Sequence, residues 1–462
     1  MKVVVIGGDA AGMSAASQVK RQKPDSHVIV FEKGRYISYA ACGIPYYVGG
    51  AVPAMEELIE LTPDEVREKR RIDLRLRHEV TQILPEDKKV IVQSGGELWE
   101  ESYDKLMIAT GASPNRMGTE NLQRVFTAHD LEEAGRIMSF LDTEKPSRVA
   151  VLGGGYIGLE MAEAFRERGT ETIMIHRRDR LQRSFEPELS DMIRDKLVEK
   201  GVILKFGSPI QDILEQRKKV LVQTEAEMIE ADMLVLAVGV FPNSELAAKA
   251  GIALGTNGAI QVNEFLETSC RDIYAAGDCA TTGMIGFDRE TYTALALKAN
   301  KQGMIGGINM AGGRERVAGV LNSAVTRIFD LGAACTGLTF AEAEEMGLEP
   351  EKIIVKSRDR ARYFPSSSPL TTLLTVSRRD RRILGAQLAG KVEAVKRIDT
   401  YSVAIHNRMT VDQLFDLDLA YAPPFSPVYD PVLLAARVAR KKVGHTEPGP
   451  HDQTESMPIE HW

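Results

Sequence analysis

The chain of 462 residues is too long for one ordinary hydrophobic core, and its length favours about three domains. Its composition is 44% hydrophobic and 27% charged, as in globular proteins, and a net charge of −7 argues against bulk affinity for nucleic acid or anionic membranes. Without an apolar run long enough to span a membrane or a secretory signal, a cytoplasmic protein is expected.

A βαβ nucleotide-binding pattern opens the chain. The apolar strand 2–6 is followed by a glycine-rich turn, a helix from about Met13 to Gln22, and a second strand that ends at Glu32. The turn and the helix N-terminus would present N–H groups to a pyrophosphate, and Glu32 would accept from ribose hydroxyls. Asp9 replaces the usual middle glycine, so either the backbone shifts or its side chain points away.

A single cysteine follows, in the stretch 37–50. Cys42 lies just before a short predicted helix whose first turn contains Pro45, and this position favours the thiolate. The other cysteines are interpreted as packing residues: Cys270, Cys279 and Cys335. No CxxC or CxxxxC spacing occurs, which argues against a local redox dithiol and a disulfide scaffold.

The next segments complete the first nucleotide domain. Residues 62–72 are predicted to form a basic helix, and the alternating segments 80–84 and 89–93 a small antiparallel element. An apolar strand at 106–109 precedes Thr110 and Gly111, and the glycine would allow close approach of a cofactor.

A second βαβ pattern begins at Arg148. Residues 153–158 form a complete GxGxxG, and the helix continues through Glu160 to about Arg168. The following strand ends in the basic set His176, Arg177 and Arg178 instead of an acidic residue, which favours NADPH, with NADH still possible.

The remaining segments return to the first domain and then change character. A strand is predicted at 231–238, and a strand at 273–276 ends in Gly277-Asp278, whose carboxylate can face the ribityl chain of a flavin. A helix at 294–310 would direct its N-terminus towards the flavin. The later segments indicate a packing or dimer module: strands at 323–331, 352–357, 371–378 and 383–390, a helix at 393–407, and a proline-rich loop at 421–431.

The predicted fold is α/β, with two Rossmann-like dinucleotide-binding domains, the second inserted in the first, and a C-terminal α+β dimerisation domain. The predicted boundaries are 1–117 and 244–315 for the first domain, 118–243 for the second, 316–443 for the third and 444–462 for a disordered tail.

The order of these features resembles the pyridine nucleotide–disulfide oxidoreductase superfamily over nearly the whole chain. Within it, the segment SYAACGIPYYVGG at 38–50 is similar to the single-cysteine branch, and most of all to coenzyme A disulfide reductases, whose motif reads SYxxCGxPYY. The resemblance implies FAD in the first domain, NAD(P)H in the second, and a homodimer.

The resemblance also implies site residues. Cys42 would be catalytic, together with the interface tyrosines Tyr363 and Tyr421, which would reach the partner's active site. Tyr156 resembles a residue that covers the flavin, although packing over the loop is the alternative. The predicted cofactor-binding residues are Gly7, Ala10, Ala11, Gly12, Glu32, Lys33, Val80, Ala109, Thr110, Gly111, Asp278, Ala296, Gly153, Gly155, Tyr156, Ile157, Gly158, Glu160, His176, Arg177, Arg178 and Gly239. The predicted coenzyme A contacts are Gln18, Arg21, Ser38, Arg70 and Asn300.

Three positions depart from patterns within this branch. Ala10 replaces the histidine of the peroxidase type, Ala41 replaces a frequent asparagine, and Tyr429 replaces a lysine found in some members. Some relatives end in a rhodanese domain, which is not expected for this chain, and no metal site is predicted.

The sequence therefore predicts an FAD-dependent NAD(P)H:disulfide reductase that acts on coenzyme A disulfide or a related disulfide or persulfide, through a mixed disulfide on Cys42. The alternatives are an NAD(P)H oxidase that reduces oxygen to water through a sulfenic acid, and a flavoprotein redox sensor.

Overall fold

The computed structural model describes residues 1–444, which divide into two compact units. The first comprises Met1–Asn322 and Thr326–Leu331, and the second comprises Ser323–Val325 and the chain from Gly332 onward. Within the described residues, no helix is both long and apolar enough to cross a membrane. The same part of the chain contains no cluster of His, Cys, Asp or Glu suited to a metal ion.

The N-terminal segment alternates strands and helices before it forms a run of short strands. Its elements are β1 (Lys2–Ile6), α1 (Ala10–Gln22), β2 (His27–Glu32), α2 (Ile44–Gly49), β3 (Asp73–Leu76), β4 (Glu79–Leu84), β5 (Lys89–Ser94), β6 (Glu97–Ser102), β7 (Lys105–Ile108) and β8 (Ala112–Pro114). Short 3₁₀ turns at Ala41–Gly43 and Met55–Leu58 lie on either side of α2.

Two predictions for this segment need correction. Helix α1 begins at Ala10, three residues earlier than predicted, because the glycine turn passes directly into the helix. The predicted helix at 62–72 is too long, since only residues 63–69 are helical and Glu65–Lys69 form a π-helical turn. Arg71 has a φ of 54°, which ends the turn, and Asp73–Leu76 then pair with β2.

The middle of the chain repeats this plan. Its elements are β9 (Val125–Thr127), α3 (Leu131–Glu144), β10 (Arg148–Leu152), α4 (Tyr156–Glu167), β11 (Glu171–His176), α5 (Pro187–Glu199), β12 (Ile203–Phe206), β13 (Ile210–Gln216), β14 (Lys219–Thr224), β15 (Met228–Ala231), β16 (Met233–Leu236), β17 (Val240–Pro242), α6 (Glu245–Lys249), β18 (Ile273–Ala275), β19 (Thr282–Met284), β20 (Phe287–Thr291) and α7 (Ala296–Met310).

Two five-stranded parallel sheets are built from these strands. The first has the order β18-β7-β1-β2-β3 and the second the order β12-β11-β10-β16-β9. Each is accompanied by a three-stranded antiparallel sheet, β4-β5-β6 or β13-β14-β15, and only β4 and β5 of these six strands were predicted. Because β18 rejoins the first sheet after the second is complete, the predicted insertion of one nucleotide domain in the other is confirmed.

The parallel strands form the centre of each core. In β1, Val3, Val4 and Val5 are fully buried, and the same holds for the residues at 149–151 in β10. Strands covered on both faces read as continuous apolar runs, which is why the sequence showed them clearly. The carboxyl ends of β1 and β10 carry the two glycine turns, where ligands bind in open parallel sheets.

The C-terminal part contains one five-stranded sheet, in which the β23–β24 and β24–β25 pairs are antiparallel, and several helices. Its elements are β21 (Ala324–Ile328), β22 (Leu331–Gly337), α8 (Phe340–Glu345), β23 (Pro350–Arg358), β24 (Pro369–Ser377), β25 (Ile383–Lys391), α9 (Ile398–His406), α10 (Val411–Phe415) and α11 (Pro431–Lys442). The sheet order is β21-β22-β25-β24-β23. The predicted helix at 393–407 is divided into a 3₁₀ turn at Ala394–Arg397 and α9, and α11 was not predicted. The predicted disordered tail lies, from 445 on, outside the described residues.

Candidate active site

The first glycine turn brings backbone amides to the end of β1. Gly7 has a φ of 107°, and a Cβ there would lie 2.1 Å from the carbonyl oxygen of Ala109. Helix α1 starts immediately afterwards, with Ala10 and Ala11 in its first turn and no side chain capping its N-terminus. At a helix N-terminus, backbone N–H groups without a side-chain acceptor can donate hydrogen bonds to a pyrophosphate.

The carboxylate of Asp9, the departure in this turn, interacts with the backbone N–H groups of Tyr39 and of Ala10, the first residue of α1. The backbone N–H of Tyr39 donates to Asp9 Oδ1 at 3.3 Å. Burial, assisted by Glu32 and Asp278, raises the pKa of Asp9 to about 6. The turn therefore keeps its geometry without the middle glycine, but holds an acidic side chain in a poorly solvated position.

Two acceptors of the first domain have the placement that the sequence predicted. Glu32, at the end of β2, accepts from the N–H of Gly8 at 2.8 Å and of Gly34 at 2.6 Å. Asp278 follows β18, and its Oδ1 is buried without a hydrogen-bond partner among the described residues. An unpartnered buried acceptor fits the ribityl hydroxyl of a flavin, and with the open amides of α1 the residues present fit FAD.

The other predicted FAD contacts surround this turn. Ala109 packs on Gly7, the hydroxyl of Thr110 donates to the carbonyl of Asn243 at 2.6 Å, and Gly111 has a φ of 67°. Lys33 is exposed after β2, Val80 lies buried in β4, and Ala296 begins α7.

Cys42 lies in the 3₁₀ turn Ala41–Gly43, one residue before the N-cap of α2, and its residue is exposed. The prediction that this position favours the thiolate is wrong for the side chains present. Burial of the sulfur raises the pKa of Cys42, and Glu160 and Asp278 raise it further. Helix α2 has only six residues and begins after the cysteine, so its dipole is outweighed.

A group of polar side chains behind Cys42 was not predicted as a unit. Tyr46, on α2, lines one small cavity with Glu160 and Glu163 of α4 and with Arg327. Arg327 donates to Glu163 at 2.6 Å and lies 5.6 Å from the centre of the Tyr46 ring, while Thr326 donates to Glu160 at 3.3 Å. Burial, with the neighbouring Glu163, raises the pKa of Glu160 to about 7. The only signal in the sequence was the i,i+4 spacing of Cys42 and Tyr46.

The second glycine turn has the same design as the first. Gly153 has a φ of 120°, and a Cβ on Gly158 would lie 2.1 Å from the carbonyl oxygen of Gly153. Gly155 has no atom within 4 Å of an added Cβ, so the helix N-terminus is open to a ligand. Ile157 is exposed, and Gly239, with a φ of 100°, follows β16. The hydroxyl groups of Tyr156 and Ser184 are 3.0 Å apart, so Tyr156 contacts the loop after β11.

His176 occupies the position that Glu32 has in the first domain. The N–H of Gly154 lies 3.2 Å from His176 Nδ1, as that of Gly8 faces Glu32. Burial, with Arg178 and Arg177, lowers the pKa of His176, so the ring is neutral at pH 7. Within residues 1–444, Arg177 and Arg178 have no carboxylate within 4 Å, and Arg177 is exposed.

The predicted coenzyme A contacts are grouped around α1. Arg70 donates to Ser17 at 2.6 Å, and Asn300 of α7 accepts from Ser14 at 2.9 Å. Gln18 lies beside Gly307, Arg21 is exposed in the last turn of α1, and Ser38 donates its backbone N–H to the carbonyl of Gly8. Four of these residues therefore lie on α1 or contact it directly: Gln18, Arg21, Arg70 and Asn300.

Tyr363 and Tyr421 belong to the second compact unit. They are 77% and 46% exposed, and desolvation, followed by a hydrogen bond between the two hydroxyl groups, raises the pKa of Tyr421. Both phenols are thus available at the surface of that unit.

Comparisons with known proteins agree with this geometry. A family model described as pyridine nucleotide-disulphide oxidoreductase matches residues 1–303, and its dimerisation domain matches 323–431. The NAD(P)H coenzyme A polysulfide/persulfide reductase of Pyrococcus horikoshii is 40% identical over 442 residues, which are 95% of this chain and 98% of that protein. The coenzyme A disulfide reductase of Staphylococcus aureus is 33% identical over 428 residues, covering 92% and 96%.

A solved structure points to a related chemistry. The water-forming NADH oxidase from Lactobacillus brevis, bound to NADH, has a TM-score of 0.92 at 30% identity and covers 96% of this chain and 99% of its own. The matches extend over the two nucleotide domains and the C-terminal region together. The chain belongs to the pyridine nucleotide-disulphide oxidoreductase family.

Proposed function

We propose that this protein is an FAD-dependent NAD(P)H:disulfide reductase whose substrate is coenzyme A disulfide or a related disulfide or persulfide. The observation that carries the proposal is Cys42, an exposed thiol under the electrostatic influence of Asp278 of the first domain and Glu160 of the second. The other cysteines are less suited to react with a substrate. Cys279 and Cys335 are buried, and the half-buried Cys270 lies beside Tyr103. Two relatives, a coenzyme A polysulfide/persulfide reductase and a coenzyme A disulfide reductase, support sulfur as the element reduced.

FAD, when bound, would carry an electron pair from the nicotinamide to sulfur. The Cys42 thiolate attacks one sulfur of R–S–S–R, forms a Cys42–S–S–R bond and releases R–S⁻. Two electrons then cleave this mixed disulfide into Cys42 thiolate and a second R–S⁻, and each released thiolate takes one proton. A single cysteine suffices because the substrate supplies the other sulfur.

Two features of the site support proton supply to the departing thiolate. Glu160 acts electrostatically on Cys42, and its pKa of about 7 allows it to be protonated or ionised at neutral pH. Tyr46 lies between them on α2, and burial followed by Glu160 raises its pKa, so it stays a neutral hydroxyl. A carboxyl with a pKa near the working pH is suited to general acid and base catalysis.

NADPH is the proposed reductant. Arg177 and Arg178 follow the strand that ends at His176, where an acidic residue would repel a 2′-phosphate. For coenzyme A, the exposed Arg21 on α1 and the half-buried Arg70, which contacts α1 through Ser17, supply cations for phosphate. The dimerisation-domain match at 323–431 supports a homodimer, in which Tyr363 and Tyr421 would serve the partner's Cys42.

The test compares Cys42→Ser with Cys270→Ser, a matched control away from the glycine turns. Cys42→Ser should bind FAD and allow its reduction by NADPH, but should lose at least about a thousandfold in turnover with coenzyme A disulfide, since the nucleophile is removed. Cys270→Ser should retain turnover. Full disulfide reduction by Cys42→Ser would refute the proposal.

Oxygen reduction is the second candidate, because the L. brevis oxidase is similar over the whole chain. An oxidase would consume NAD(P)H with oxygen alone as fast as with disulfide, through a sulfenic acid on Cys42. The mass of Cys42 after turnover separates the two: a mixed disulfide supports the reductase, and a single added oxygen supports the oxidase.

A further inference from the structure

Helix α7 contains a buried lysine in its first turn. Lys298 is 5% exposed, and its ammonium donates to the backbone carbonyls of Gly277 at 2.9 Å, Ala280 at 2.8 Å and Thr293 at 3.0 Å. The three hydrogen atoms of the ammonium are thus all used. Two of the three carbonyls lie on either side of Asp278, the buried carboxyl with an unpartnered oxygen.

A cation in this place is unfavourable on local grounds. Burial disfavours the charged form of lysine and lowers the pKa of Lys298, and the N-terminus of a helix repels positive charge. The opposing influence is Asp278, whose charge favours the ammonium. A charged lysine at this position therefore needs a compensating anion, and Asp278 is the carboxylate that supplies it.

The same backbone turn is held a second time by a neutral side chain. Gln302, one helical turn after Lys298, donates to the carbonyl of Thr281 at 3.1 Å and accepts from the N–H of Gly277 at 3.0 Å. Tyr292 adds a hydrogen bond to the carbonyl of Asp278 at 3.0 Å. Hydrogen bonds from neutral side chains thus already hold this turn in place. Lys298 differs from these side chains in that it also brings a positive charge.

We propose that Lys298 is a positioning residue of the FAD site, whose charge keeps Asp278 as the carboxylate that accepts from a ribityl hydroxyl. A charged acceptor makes a hydrogen bond about twice as strong as a neutral one. The proposal rests on the FAD site of the proposed function, but not on thiol chemistry.

The charges around Asp278 determine how far this effect extends. Lys298 and His129 favour its ionised form, whereas burial opposes it and raises its pKa. The charge of Asp278 in turn raises the pKa of three further groups, which are Asp9 of the first glycine turn, Cys42 and Tyr292. The charge of Lys298 favours ionised Asp278 more strongly than that of His129 does, so loss of Lys298 should shift protonation of Asp278 to higher pH.

The experiment measures FAD binding to apoprotein by fluorescence between pH 5.5 and 9. Lys298→Gln keeps a hydrogen-bond donor but loses the charge, and Lys301→Gln, an exposed position on the same helix, is the control. We expect about a tenfold weaker FAD affinity at pH 7 for Lys298→Gln, and release of FAD at higher pH than in the parent protein. Lys301→Gln should change neither.

A purely structural role predicts a different result, an equal loss of affinity at every pH, and this would overturn the proposal. Asp278→Asn, which retains Lys298, provides a second route if Lys298→Gln does not fold. It should bind FAD more weakly with a flatter pH profile, and the double variant should show no additional pH shift. If Asp278→Asn releases FAD with the parent's pH dependence, Asp278 is not the group that Lys298 controls.

Discussion

The contact between α1 and α7 depends on the absence of side chains at two positions. A Cβ added to Gly303 would lie 2.2 Å from the carbonyl oxygen of Ala11, and one added to Gly307 would lie 2.6 Å from that of Ala15. Both contacted atoms are backbone carbonyl oxygens, which cannot move away by a side-chain rotation. Gly303→Ala should therefore move the two helices apart and displace the α1 N-terminus that faces the proposed pyrophosphate.

The size of the effect follows from this distance. Real Cβ contacts are rarely shorter than 3.0 Å, so Gly303→Ala requires a shift of at least 0.8 Å, the difference between 3.0 and 2.2 Å. Overpacking costs about 1–3 kcal/mol, and a backbone contact belongs at the upper end, about 3 kcal/mol. The higher helix propensity of alanine offsets up to about 1 kcal/mol of this cost. We therefore expect Gly303→Ala to lower the free energy of unfolding by about 2 kcal/mol.

Gly135→Ala is the matched control, because Gly135 also lies inside a helix, α3, but its added Cβ would have no atom within 4 Å. It should stabilise the protein by about 0.5–1 kcal/mol. In thermal unfolding of the apoprotein, Gly303→Ala should lower Tm by about 4–8 °C and weaken FAD binding, whereas Gly135→Ala should raise Tm slightly. Equal Tm values for the two variants would show that α1 and α7 do not approach as closely as described.

Three further predictions concern charge. Glu160→Gln should speed alkylation of Cys42 by iodoacetamide at pH 8, where an ionised Glu160 raises the pKa of Cys42, and should have little effect at pH 6, where Glu160 is neutral; equal rates at pH 8 would exclude the coupling. Replacing Arg177 and Arg178 by alanine should lower kcat/KM for NADPH by at least about tenfold and leave NADH nearly unchanged, and a retained NADPH preference would contradict the role of the basic set. Asp9 holds its proton more tightly when folded, with a pKa of about 6 instead of 3.8, so stability falls as pH rises through this range. Asp9→Asn should therefore stabilise the apoprotein at pH 8 by up to about 3 kcal/mol and change little at pH 3, as urea unfolding would show.

The nucleotide domains were predictable because their signals are local. The apolar runs of β1 and β10, the glycines that follow them and the acidic or basic residue after the next strand all lie within 35 residues of each other. Gly7 and Gly153 are required by positive φ values and by a neighbouring carbonyl, so glycine alone already indicates the turn.

The features that were not predicted correctly depend on contacts with residues distant in the sequence. The basic segment 62–72 has helix-forming residues, but its helix ends at residue 69 because Asp73–Leu76 pair with β2 as the outer strand of the sheet. In the same way, Thr326 and Arg327 reach Glu160 and Glu163 across more than 160 positions, and no sequence period predicts such a contact. Lys298 was part of a predicted helix, yet its burial arises from the turn at 277–280.

The chemistry around Cys42 differs most from the expectation, and the difference has a physical cause. A helix N-terminus was expected to favour the thiolate, but partial burial of the sulfur and the charges of two acids, Glu160 and Asp278, raise the pKa of Cys42. Burial raises the pKa of both acids, that of Glu160 to about 7, and the charge of Lys298 opposes this rise at Asp278. We therefore expect the charge on Cys42 to depend on the protonation of Glu160 and Asp278, on which Tyr46 and Lys298 act in turn.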